Sequence, residues 1–296
     1  MRTLTKQIIV YLALVFGFSS LPYYLIIHTG RLGTGAGMAV SLIMWCPGLA
    51  ALASCALFRI DLANLGWNWR PAKYEIWGYV VPLIYALPVY IGTWLLIRGS
   101  FAFYDFAKPM AESFGFPEAP LATTLLLGIP GLATIGVIGS LSRALGEEIG
   151  WRGFLLPRLV ERVGFIWGCL LSGCIWAAWH YPALLFADYN VGTRPAFAWA
   201  CFTLMVIAIS YVLGWLRLRS GSLWPAAMLH ASHNLFVQAI FDRMTRPVGR
   251  TLYITTEFGA GLALAACVCG FYFWSRRKEV VPVVSHDENV RIAAVA

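Results

Sequence analysis

Charge is scarce in this sequence: 12% of its 296 residues are Asp, Glu, Lys or Arg, whereas 59% are apolar. A water-soluble domain covers its surface with roughly a quarter charged residues, so one or two ordinary soluble domains are excluded. A disordered chain needs still more charge and is excluded with them. No Lys/Arg block alternates with exposed aromatics, and many basic residues border apolar runs. The net charge of +8 is therefore not the footprint of a nucleic-acid binder, and no nucleic-acid partner is expected. The seven cysteines, Cys46, Cys55, Cys169, Cys174, Cys201, Cys267 and Cys269, all lie inside apolar runs. They read as buried thiols, with no disulfide framework. HExxH is absent, no GxSxG elbow precedes a helix near a dyad histidine, and every Asp falls in a loop or tail. Serine and aspartyl hydrolysis are disfavoured on those grounds.

What is present is material for lipid. Mean hydropathy is +0.71, and a spanning helix needs about 20 apolar residues. Such runs occur at Ile8–Ile27, Met38–Phe58, Ile76–Ile97, Phe165–Phe186, Ala196–Trp215 and Ile254–Trp274. Two less even stretches complete the set: one from about Leu121 into a charged segment ending near Leu159, and Leu223–Phe241. The first run continues past Ser19 and Ser20 without a cleavage pattern, so it reads as a retained helix and not as a signal peptide. The fold class expected is all-α, a polytopic membrane protein of about eight transmembrane helices with a polar intramembrane cavity. Residues 1–275 form a single transmembrane domain in this reading, and 276–296 a cytoplasmic tail.

Orientation follows from the basic residues. With the N-terminus inside, the larger share of the 22 Lys and Arg falls on the inner side, including Arg2, Lys6, Arg59, Lys73, Arg217, Arg219, Arg276, Arg277 and Lys278. Both termini are then cytoplasmic. The compact chain carries no organelle-targeting tag, which fits a plasma (inner) membrane of a bacterium.

Ionisable groups at membrane depth are costly and mark function unless a partner explains them. Three of the five histidines, His180, His230 and His233, fall within spans, together with Glu147 and Glu148. Glu148 and Arg152 are four apart and pair on one helical face. Glu147 points about 100° away and has no partner that spacing reveals. Counting back from Arg158 places Glu147 about 16 Å deep, overlapping the depths of His180 and His230 only if the fourth helix runs on through the glutamates. We therefore take both to be intramembrane. His230 and Asn234, four apart, share a face; His233 borders it. Ser222 can cap their helix, with Pro225 in its first turn.

Glu147 to Arg152 fits an EExxxR motif, His180 the histidine of FxxxH with Trp176 in place of Phe, and His230 to Asn234 fits HxxxN. In this order on membrane helices, they resemble the CPBP family of intramembrane proteases. That family includes type II CaaX prenyl endopeptidases and bacterial Abi (bacteriocin-immunity) proteins, and the likeness covers about 121–241. An aromatic replaces an aromatic at Trp176, which the sequence alone reads as a small change.

Peptide hydrolysis needs a base for water and a donor where the carbonyl oxygen becomes an anion. Glu147 and His180 can supply the first, His230 and Asn234 the second, which is similar to the roles the family implies. Glu148, Arg152 and His233 then support the site. The same atoms admit a zinc reading through Glu147, His180 and His230; metal-free chemistry is preferred because Arg152 brings a cation close. The expected function is an intramembrane endopeptidase acting on a membrane-associated, prenylated or other peptide or protein substrate in the lipid bilayer. The alternative is a non-proteolytic transporter or immunity scaffold using the same buried site, although no internal duplication of the transporter kind is present.

Overall fold

The computed structural model describes residues 2–29, 38–69, 71–113, 115–116, 120–190 and 192–280. Residues 281–296, most of the expected tail, lie outside the described set, as do Arg31 and Arg70.

Apolar runs become helices because a backbone in lipid must satisfy its own hydrogen bonds. Five helices are long and apolar enough to cross a membrane: Arg2–His28, Met38–Phe58, Lys73–Leu96, Thr124–Phe186 and Pro195–Ser220. The fourth runs for 63 residues, about three times what one crossing needs. It breaks at Gly164, whose φ of 77° and ψ of 169° leave the helix; only glycine takes that conformation freely. Two of the spans expected from sequence are thus joined end to end here. A helical stretch over 224–241 and the shorter helix Ala260–Ser275 follow. No strand occurs among the described residues; a lone bridge joins Phe101 to Thr245. Apolar side chains stand outward all round the bundle, Leu96 at 87% exposed, a surface suited to hydrocarbon and not to water. The chain is an all-α polytopic membrane protein.

Pro195–Ser220 lies at the centre, packed on Leu156–Phe186 on one side and Ala260–Ser275 on the other. Val137–Glu148 lies between Met38–Phe58 and Trp224–His233. Its approach to Met38–Phe58 depends on glycine. A Cβ on Gly146 would stand 2.7 Å from the Met44 carbonyl oxygen, and one on Gly150 would stand 2.5 Å from the Pro47 backbone. Small residues four apart let two membrane helices touch backbone to backbone. Here they flank Glu147 and Glu148, so the carboxylates are seated on a tightly fixed helix.

Three expectations need correction. The last span does not begin at Ile254: a short turn, Thr251–Ile254, ends there and the helix restarts at Ala260. Thr256 between them has φ 64°. The cause is Glu257, a carboxylate inside an apolar run, which turns into the bundle to reach partners described below. The stretch after Arg98, expected as a loop, contains an amphipathic helix, Phe103–Ser113, whose Phe103, Phe106, Ala107 and Met110 are buried. Nor are all the cysteines buried. Cys174 is exposed and Cys267 and Cys269 are partly so, and all seven are free.

Candidate active site

The fourth helical run does continue through the glutamates. Glu147 and Glu148 end the α-helical segment Val137–Glu148, and the chain then widens into π-helix over Ile149–Leu155. A second π stretch, Asn234–Phe241, begins at Asn234. The EExxxR and HxxxN motifs therefore each meet a widened turn, a feature often found at functional sites, whereas Trp176 and His180 lie in ordinary α-helix and two further π stretches, Thr124–Gly128 and Leu132–Gly136, lie outside the motifs.

Glu148 is fully buried. Its Oε1 accepts from Arg152 Nη1 at 2.9 Å, the pairing that spacing predicts, and the same oxygen meets His230 Nδ1 at 2.9 Å. Arg152, also fully buried, reaches Ser210 Oγ at 3.3 Å through Nη2. Its guanidinium lies 4.1 Å above the Trp176 ring. The Glu148–His230 contact joins two helices, and no spacing within either one predicts it.

Glu147 is not the unpartnered carboxylate that its helical angle suggests. Its Oε2 accepts indole N–H groups from Trp176 at 2.7 Å and Trp151 at 3.3 Å. Trp151 and Trp176 look like packing in the sequence. Yet a buried indole carries one N–H that must find an acceptor. Trp176 for Phe is thus a chemical change, since phenylalanine has no such donor.

The partner of each imidazole fixes its outward nitrogen. His180 Nδ1 lies 2.8 Å from the Trp176 carbonyl oxygen. A carbonyl only accepts, so Nδ1 carries the proton and Nε2 of the neutral ring is free to take one. Aromatic rings hold it in place: Trp179 at 4.8 Å and Phe202 at 5.2 Å meet it edge-on, and Tyr189 stacks at 6.2 Å. His230 Nδ1 faces a carboxylate and is likewise a donor.

Glu147, His180, His230, His233 and Asn234 line one cavity of about 660 Å³, together with Arg143 and an apolar wall including Met205, Val206 and Ile209. Glu148 and Arg152 stand behind it, tied to His230 and Trp176. His233 is drawn aside: Nε2 pairs with Glu257 Oε1 at 2.8 Å and Nδ1 with the Tyr85 hydroxyl. Tyr189 donates to Glu257 Oε2 at 3.1 Å. Glu257 lines the cavity too, and sequence reasoning missed it. The signal was there, because an acidic residue inside a candidate span invites the same suspicion as Glu147.

The zinc reading does not fit the donor set. Among the described residues no three His, Cys, Asp or Glu side chains gather where a metal ion could sit. Glu147 is turned toward two indoles, and Glu148 already neutralises Arg152 and binds His230.

Fold and cavity together define a class: a polytopic helical membrane protein in which the buried charges Glu147 and Glu257 line one chamber, with Glu148 and Arg152 behind it. Residues 129–236, which hold all three motifs, match the model of the family described as type II CAAX prenyl endopeptidase Rce1-like. Over 184 residues the chain is 28% identical to CAAX prenyl protease 2 of Methanococcus maripaludis, covering 60% of this chain and 58% of that protein. The match thus spans a little over half of that relative's length. The family resemblance drawn from the motifs is borne out.

Proposed function

We propose that the protein is an intramembrane endopeptidase that hydrolyses a peptide bond of a membrane-associated substrate by activated water. The observation that carries this is the convergence of Glu147, His180, His230 and Asn234, from three separate helical stretches, on one cavity. Water held between the Glu147 carboxylate and His180 Nε2 gives up a proton as its oxygen bonds to the scissile carbonyl carbon. The carbonyl oxygen becomes an anion and accepts hydrogen bonds from the Asn234 amide NH₂ and His230 Nε2–H. With Nδ1–H committed to Glu148, donation from Nε2 requires the doubly protonated ring, which the Glu148 carboxylate would stabilise. Collapse breaks the C–N bond, and the proton taken from water passes to the departing nitrogen. Glu148 and Arg152 hold His230 in place.

A prenylated or other lipid-embedded peptide is the substrate class that suits the apolar wall, in keeping with the name of the Methanococcus maripaludis relative. The setting is the plasma (inner) membrane, crossed eight times, with both termini cytoplasmic. The test is to compare peptide termini in membranes carrying the native chain or Glu147→Gln. Precursors shorten only with the native chain; identical termini in both would overturn the protease reading.

A further inference from the structure

Trp176 touches four charged or titratable groups at the proposed site. Its indole N–H donates to Glu147 Oε2 at 2.7 Å, and its carbonyl oxygen takes the His180 Nδ1 proton at 2.8 Å. Its ring lies beneath the Arg152 guanidinium at 4.1 Å and meets His230 at a centroid distance of 5.3 Å. The hydrogen bonds recorded for Glu147 all go to Oε2, and Glu147 lines the cavity. With Oε2 anchored, Oε1 is the oxygen left for the cavity.

We propose that Trp176 is a positioning residue of the water-activating pair, holding Glu147 through its indole N–H and His180 through its backbone carbonyl. This rests on the proteolytic reading above. A residue that only packs would serve equally well with any ring of the same shape, whereas a positioning donor must have its N–H. The tryptophan is 7% exposed, so water cannot replace the lost donor easily, and a hydrogen bond to a charged acceptor carries an effect of about ten- to hundredfold on a rate.

The test replaces Trp176 with 3-benzothienylalanine, which keeps the bicyclic shape and puts sulfur where the N–H was, and separately with Phe. Cleavage is followed on a quenched fluorogenic peptide ending in a prenylated Cys-a-a-X sequence. Both variants should lose about ten- to hundredfold in kcat with KM unchanged, and the sulfur variant should unfold at the native temperature. Unchanged kcat in the sulfur variant overturns the proposal. So does a loss matched by a fall in its unfolding midpoint, because the residue is then structural. A second readout needs no turnover: the indole proton resonance that disappears in Trp176→Phe should move upfield in Glu147→Gln, and an unmoved resonance refutes the bond. If the native chain and Glu147→Gln cleave alike, the protease reading fails and the positioning role falls with it. If those two differ and the sulfur variant matches native, only the Trp176 proposal fails.

Discussion

Replacing Arg152 with Met isolates the energetics of the charges behind the cavity. In the native chain the Arg152 and Glu148 side chains have no exposure and meet at 2.9 Å. Two opposite unit charges about 4 Å apart attract by about 4 kcal/mol at an effective dielectric of about 20. Breaking one side of a buried pair destabilises by about 3–5 kcal/mol, and the lower end applies because Glu148 keeps His230 at 2.9 Å. Loss of the guanidinium from the Trp176 face adds about 0.5–2 kcal/mol. Methionine fills a similar length without charge, so the volume term stays small. The sum is large against the whole stability of a domain, about 5–15 kcal/mol. At about 2–4 °C per kcal/mol for sizeable chains, the unfolding midpoint should fall on the order of 10 °C in detergent-purified protein. A second substitution sharpens the test. Adding Glu148→Gln to Arg152→Met removes the carboxylate that has lost its guanidinium and leaves an amide oxygen to accept from His230, so the double variant should unfold above the single one. A single variant that melts with the native chain, or two losses that simply add, would refute the claim that Arg152 neutralises Glu148.

Two further outcomes are expected. Gly150→Ala, whose new Cβ would meet the Pro47 backbone at 2.5 Å, should cost about 1–3 kcal/mol in thermal unfolding and lower cleavage by shifting the glutamates. Gly139→Ala, placed where nothing lies within 4 Å, should be neutral or stabilising, and equal behaviour of the two would remove the close-approach argument. A phosphatase reporter fused after Arg277 should be inactive and a fluorescent protein there should shine. Active phosphatase would break the eight-crossing topology.

The sequence made visible what depends on position along a single helix. The Met38–Phe58 run coincides with the helix observed, since lipid imposes both length and composition. Glu148 and Arg152 meet because they are one turn apart. Ser222 Oγ accepts the Trp224 N–H at 3.2 Å, as its place before Pro225 suggests. What escaped depends on how helices rotate against one another. Neither Trp176 on Glu147 nor His230 on Glu148 follows from spacing, because each bond joins separate helices whose relative twist is set by packing such as Pro47 against Gly150. Glu257 escaped for a different reason: a run of apolar neighbours outweighed one carboxylate in the reading of a span, and the chain resolved that conflict by leaving the helix.

Each ring nitrogen that the site turns away from its cavity is already tied down: His180 to a carbonyl, His230 to Glu148, and both nitrogens of His233 to Glu257 and Tyr85. Groups held this way have little freedom left to lose when a substrate arrives. The cost of aligning dipoles is met once, as the bundle folds, and is not repeated at each turnover. Cooling should therefore slow substrate entry and product exit more than it disturbs the aim of the polar groups, and the lipid around the bundle, more than the site itself, would set how the rate responds to temperature.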